Sequence, residues 1–414
     1  MTTYAPNPVV TFAGGTTYSD NTIADISINI GRKDVIEPVA ASYARIVLWT
    51  QADTPLDVNL SDSVTIQIDK GTTGTAIIYT GIISDIDITL PQYGDSGSIA
   101  EYTLTAVGPL ANLNKRVSGA VNYPKQFDGD RMFTILSEAF LTSWDDLSPS
   151  LIWSSVSNIA TWDSFDGTNI ATVNGLMTTI DQPGVYELAA YNDGLTNALT
   201  LAQATAQSGR GVLYESGDGH LHYGDYTSRI SSPSLNLITT DLLTQGLRTA
   251  AQWSEISNDI TIEYNNGGQA FARDEVSVES YGELAATRST TLHNLSDAQS
   301  QANDFLESRA YPRVYPESLT VALHNPNVSD ATRDALIAAE NGTAITTSDL
   351  PAVFGTVFEG YLEGYSWRLT RYEAYLDLIC SSQLETYPHQ LWLQVAPLVT
   401  WDSYTPNTTE WMDL

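Results

Sequence analysis

Residues that could do chemistry are few and scattered in this chain. It has five histidines, His220, His222, His293, His324 and His389, and only His220 and His222 stand close together, in "GDGHLHYGDY". On a strand, a spacing of two sends both rings to one face, which is half of a metal site. The surrounding pattern supplies no further ligand, so a solvated hairpin face is the preferred reading and no metal is assigned. "DSFDGTN" from Asp163 has the oxygen-rich composition of a calcium loop without its ligand spacing, and reads as a turn. Asp145 with Asp146, or Glu359 with Glu363, could be nominated as the paired carboxylates of a glycosidase. Nothing sets them apart from the rest of the 49 acids. A phosphate-binding loop, a nucleophile elbow, a His-Glu-x-x-His pair and a dinucleotide fingerprint are all missing. No catalytic residue and no cofactor are assigned, and a non-enzyme is expected.

The acids are opposed by only 18 Lys and Arg, which gives a formal net charge of −31 although 16% of the residues are charged. Without a stripe of cations to displace the counterions around phosphate, stable nucleic-acid binding is disfavoured. Solubility or a salty habitat are equally open explanations of the acidity. With 414 residues and 42% apolar content, the chain has material for roughly two to four domains. Its one cysteine, Cys380, lies in the alternating run "AYLDLICSS", where a thiol behaves as a small buried hydrophobe. The stretch "MTTYAPNPVV" has no basic flank or apolar core, and no uncharged apolar run is long enough to span a bilayer. A soluble product of a reducing cytoplasm is expected.

The elements that position these residues are mostly strands. "ADISINI" alternates Ala24, Ile26, Ile28 and Ile30 with Asp25, Ser27 and Asn29, and "VTIQID" repeats the pattern. "IIYTGIISDIDITL" and "AEYTLTAVG" come next, separated by turn-rich breaks. Helical spacing sets in at Met132, Ile135, Leu136, Ala139 and Phe140 behind an Asp128 cap. A second helix is predicted on Leu195, Ala198, Leu199 and Ala202, with Gly209 beyond its end. A third carries Ala298, Ala302, Phe305 and Leu306 behind a Ser296–Gln299 capping box, with Pro312 as its stop. "YESGDGHLHY" and "ITIEYNNGGQ" read as strands running into tight turns.

One strand pattern occurs twice. Residues 79–90, "YTGIISDIDITL", lie without a gap on residues 358–369, "FEGYLEGYSWRL". The overlay matches Gly81 with Gly360, Ile83 with Leu362, Ile86 with Tyr365 and Leu90 with Leu369, and each copy precedes another apolar strand. An interior glycine marks a bend or bulge, which a small barrel needs in order to close. The expected fold is therefore mainly β with a few α-helices, two related small antiparallel β-barrel domains flanking a mixed α/β middle region. The boundaries are 1–122 for a first barrel with an amino-terminal arm, 123–314 for the middle region with an insertion around 144–192, and 315–385 for the second barrel. Residues 386–414 form a tail bearing Trp392, Trp401 and Trp411, which either docks on another surface or packs on its own domain.

The order of several stretches carries a family resemblance: "INIGRKDVIEPVAASYARIVLW", "SVTIQID", "YTLTAVGPLANL", "LAQATAQSGRGVLYESGDGHLHYGD", "GLRTAAQWSEISNDITIEY", "SVESYGELAATRSTTLHNLSDAQSQANDFLESRAYP" and "VFEGYLEGYSWRLTRYEAYLDLICSS". Together they resemble the tail hub proteins of long-tailed bacteriophages, also called baseplate hub or minor tail proteins. The resemblance implies a homotrimer in which two barrels per subunit alternate around a ring, so that three chains meet a sixfold tail. It implies as partners a distal tail or tail tube protein, the tape-measure protein, and a receptor-binding fibre or spike. Gly81, Gly360, Trp392, Trp401 and Trp411 are the expected assembly residues. The resemblance does not extend to the long carboxy-terminal fibre or peptidase extension of larger members, so host attachment and cell-wall cleavage are expected to fall to other proteins. A secreted carbohydrate-binding or glycoside-hydrolysing β-protein is the alternative, which a signal peptide would favour.

Overall fold

The computed structural model describes residues 4–92, 98–120, 122–140, 168–173, 176–228, 234–242, 247, 249, 253–312, 315–316 and 318–383. The amino-terminal third is a run of strands: β1 (Val9–Phe12), β2 (Ile23–Gly31), β3 (Ala40–Gln51), β4 (Ser63–Asp69), β5 (Thr75–Gln92) and β6 (Ile99–Val107). Period-two alternation explains them, since Ile26, Ile28, Ile30, Val64, Ile66 and Ile68 are all buried while their neighbours are not. The central part holds α1 (Asp128–Phe140), α2 (Ala198–Ser208), a hairpin of β7 (Val212–Glu215) and β8 (Leu221–Gly224), and β9 (Ser234–Ile238). A second hairpin, β10 (Asp259–Tyr264) and β11 (Gly268–Arg273), packs on α3 (Leu295–Arg309). The last strands are β12 (Ser318–Ala322), β13 (Ala344–Ser348), β14 (Val357–Leu369) and β15 (Ala374–Ser382).

The two ends of the chain share one twelve-stranded sheet. Within it the same four-strand pattern occurs twice. In the first copy β3 pairs with β6, β6 with β5, and β5 with β4. In the second, β12 pairs with β15, β15 with β14, and β14 with β13, every pairing antiparallel. β2 joins the copies by pairing with β3 on one side and β14 on the other. A single core runs through both, from Val10 to Cys380. At about 1.5–3 kcal/mol for each fully buried aliphatic side chain, that shared core holds the copies together.

The expectation of two closed barrels is not met among the described residues, where the sheets are open. Closure would require β3 to pair with β4, and β12 with β13. Those edges are already engaged, β3 by β2, β4 by β1 and β13 by β9, while Leu242 bridges Val321 of β12. Mainly β architecture with a few helices does hold.

Two local expectations are also corrected. The third helix starts after Asn294, whose side chain makes no capping bond, so Ser296 lies inside the first turn and no capping box forms; Gln299 instead donates to the Phe271 carbonyl of β11 at 2.7 Å. Leu195 lies before α2 and is exposed, and Leu201 with Ala206 completes the buried stripe. Among the described residues no helix is long and apolar enough to cross a membrane.

Candidate functional site

The duplicated strand is tightly constrained in both copies. Gly81 faces Val64 across the β4–β5 ladder, and Gly360 faces Ile345 across the β13–β14 ladder. A methyl group on Gly81 would come closer than 3.0 Å to the carbonyl oxygen of Val107, the last residue of β6, and to the Tyr79 ring. On Gly360 it would meet the carbonyl oxygen of Ser381, near the end of β15, and the Phe358 ring more closely still. Each glycine thus lets its strand press against the end of the next strand, with an aromatic ring two residues earlier filling the space. Three residues later each strand bulges: the pairing of β5 with β6 shifts register between Ile83 and Asp85, and that of β14 with β15 between Leu362 and Gly364. A bulge bends a strand and re-aims the residues beyond it, so both copies turn at the same place by the same device.

At the second bulge Glu363 is 1% exposed and accepts from the Arg32 guanidinium Nε at 2.7 Å. Ser381 Oγ donates to the other carboxylate oxygen at 2.6 Å, and Asn341 Nδ2 to the Glu363 carbonyl at 3.0 Å. Gly31 and Gly364 lie back to back here, each without room for a side chain. The carboxylate is thus a structural staple between β2 and β14. Burial, with Glu363 close by, pushes the Cys380 thiol far above its ordinary range, so it stays a neutral packing group.

The β7–β8 hairpin fastens the middle of the chain to the first bend. Its turn holds Gly217 and Gly219 against the backbone and side chain of Ile78 and Thr80, immediately before Gly81. Glu215, at the end of β7, is fully buried and accepts from the backbone amides of Ser42, at 2.7 Å, and Leu110. Leu110 is the second residue of the short helix Pro109–Leu113, so the carboxylate ties the first turn of that helix to the start of β3. Burial, only partly offset by those donors, pushes its carboxyl up to about 7. Asp128 is the first residue of α1 rather than its expected cap, and its carboxylate accepts from the distant Val185 and Tyr186 amides at 2.8 Å and from the Tyr223 hydroxyl; burial raises it to about 6.

The histidine pair acquires a third potential ligand. Asp218, His220 and His222 bring ligand atoms within 4.8 Å of one another, and could hold a divalent metal. Asp218 was not singled out from the sequence, although it stands two residues before His220 in the same turn. Both rings already have partners: His220 Nδ1 lies 3.0 Å from Asp218, and His222 Nε2 lies 3.1 Å from Ser216 Oγ. Burial lowers the His222 pKa, which keeps its ring neutral. A cavity of about 170 Å³ opens beside it, walled by Asp181, Tyr214, His222, Ser228 and Asn341.

Of the nominated carboxylate pairs, only Glu359 and Glu363 fall among the described residues, and they have different surroundings. Glu359 is exposed while Glu363 is bound to Arg32, and Asp145, Asp146 and the "DSFDGTN" turn as far as Gly167 lie outside the described residues. Trp392, Trp401 and Trp411 lie outside them as well.

Comparison with known proteins places this architecture. No family model matches the sequence, and no curated protein does. Solved structures do match in fold. A 43 kDa tail protein of prophage MuSo2 from Shewanella oneidensis superposes with a TM-score of 0.57 at 11% identity, over 92% of this chain and 98% of that one. A tail protein from Neisseria meningitidis MC58 gives 0.56 at 14% identity, again over 92% and 98%. Prophage tail protein gp18 from Listeria monocytogenes EGD-e gives 0.50 at 11% identity, over 91% and 95%. Nearly the whole chain therefore shares the fold of these phage tail proteins, in agreement with the resemblance carried by its sequence.

Proposed function

We propose that the protein is a structural hub of a bacteriophage tail, without catalysis of its own. It sits at the tail tip as a homotrimer, whose six four-stranded units form a pseudo-sixfold ring between a distal tail or tube protein and a central fibre or spike. The observation that carries this reading is the repetition of one strand order, β3–β6–β5–β4 and β12–β15–β14–β13, bent at Gly81 and Gly360 by the same contact. A chain with two similar units can meet a sixfold partner as three copies, which a chain with one cannot. The shared fold with phage tail proteins supports the same reading.

In this proposal residues 1–122 and 315–385 supply the ring, residues 123–314 its closed end or the seat for the fibre, and residues 386–414, with Trp392, Trp401 and Trp411, a strap that docks on a neighbour. The tape-measure protein meets the ring from the tube side. A net charge of −31 suits a lumen through which DNA slides without being held. Electron-microscope class averages of the purified protein test the reading. A threefold particle with six similar lobes supports it; a particle without threefold symmetry sinks it.

A further inference from the structure

The two copies differ in one neighbour. Along β14, the edge left by β13 after Tyr361 is taken up by β2, from Gly364 opposite Gly31 to Leu369 opposite Ile26. Under that cover Tyr365, Trp367 and Leu369 are 6%, 2% and 0% exposed. The matching edge of β5 is left by the β4 side of the sheet at Ile83, where Ser61 and Asp62 make the last bonds. Among the described residues no strand pairs with it beyond that point. Gly81 on Gly360 places Ile86 on Tyr365, Ile88 on Trp367 and Leu90 on Leu369. Here Ile86 is half-buried, while Ile88 and Leu90 are 53% and 57% exposed although they point to the core face of the sheet.

The chain also shows what is missing beside β5. β2 reaches β14 because it lies along the far side of β3, where Ile23 pairs with Leu48. In the second copy Val321 of β12 stands where Leu48 does, opposite Leu376 as Leu48 is opposite Tyr102. Its far-side neighbour is Leu242, and further along Thr249 bridges Pro316 in the same antiparallel sense. Leu242 and Thr249 therefore mark, beside β12, the place that β2 holds beside β3. Within one chain β2 is covered on both edges, while the counterpart at Leu242 has no second copy of β5 to meet.

We infer that the open edge of β5, with Ile86, Ile88 and Leu90, is the subunit interface, and that it receives the face of a second copy marked by Leu242 and Thr249. The contact repeats between chains the β2–β14 contact made within one. It is head-to-tail, so it closes only in a ring. The unpaired backbone and exposed apolar side chains of such an edge are what strand addition covers. The inference rests on the hub reading and names the surface on which it depends.

The test compares the wild-type chain with Ile88→Lys/Leu90→Lys by sedimentation velocity. Both side chains are exposed, so the monomer should keep its fold. Wild type is expected at about three times the chain mass and the double variant at one, with unchanged far-ultraviolet circular dichroism. A second variant, Asp87→Cys/Thr249→Cys, places the cysteines opposite each other, because Asp87 lies on Ser366, which pairs with Asn29, and Thr249 bridges Pro316 as Asn29 pairs with Tyr43. It should form intermolecular disulfides on oxidation, visible as dimers and trimers on a denaturing gel. A double variant that stays trimeric, or a cysteine pair that never cross-links, overturns the interface and leaves the hub standing. Wild type that stays monomeric at every concentration overturns both.

Discussion

Arg32 and Glu363 are 331 residues apart in the sequence and 2.7 Å apart in space, with their side chains 6% and 1% exposed. This pair closes the seam at which β2 passes from one strand repeat to the other. Removing one partner would strand a charge in a core that cannot solvate it. Glu363→Ala and Arg32→Ala are each expected to lower stability by about 3–5 kcal/mol. Arg32→Met with Glu363→Leu should recover most of that loss, because no uncompensated charge remains. Urea unfolding monitored by tryptophan fluorescence reads both effects; single variants whose midpoints match wild type would show that the pair is not a staple.

Bending at Gly81 and Gly360 depends on the absence of a side chain, and a carbonyl oxygen stands in the way at both. Gly360→Ala should be the more damaging, because its nearest obstacle is the Ser381 carbonyl oxygen, whereas at Gly81 the nearest is the Tyr79 hydroxyl, which can move aside. Losses of about 1–3 kcal/mol are expected from such overpacking. Melting temperatures of the two variants give the order directly, and the reverse order would contradict the strand-on-strand contact described for Gly360.

The duplication was legible in the sequence because a strand displays its faces as a period of two and its bends as glycine. Gly81 and Gly360 therefore match on spacing alone. What a linear pattern does not display is which edge of a strand pairs with what. Nothing in "ADISINI" announces that β2 bonds β3 and β14 at once, and that double pairing is why open sheets replace the expected barrels. Buried acids were hidden for a related reason. Glu215 read as one of 49, Glu363 only as a candidate for a carboxylate pair and Asp128 only as a helix cap, and it is their long-range donors that identify what each one holds. Asp218 was a nearer miss, since "GDGHLH" already places it beside the histidines.

Asp128 gives a second test of the buried acids. Tyr223→Phe removes one donor to a carboxylate that keeps two backbone amides, so a loss of about 1.5–3 kcal/mol is expected. Asp128→Ala should lose more, since it orphans the Val185 and Tyr186 amides as well. Hydrogen exchange at those two amides should accelerate in Asp128→Ala and stay slow in Tyr223→Phe; equal rates in both would contradict the bonds from Asp128 to them.

Glu215 ties stability to pH, and the sign is set by the direction of its shift. Its folded carboxyl titrates near 7, while the unfolded one titrates near 4.5. Below about pH 4.5 the proton is held in both states and its contribution is complete. Between the two values the unfolded chain has released a proton that the folded chain keeps, so stability from this group falls as pH rises, and above about 7 it is gone. The full shift corresponds to something on the order of 3 kcal/mol. Glu215→Gln cannot titrate, so its urea midpoint should change less than that of wild type between about pH 5 and pH 8. Parallel curves for the two proteins would mean that the Ser42 and Leu110 amides stabilise the carboxylate more than burial opposes it, and that Glu215 is ionised in the folded chain throughout.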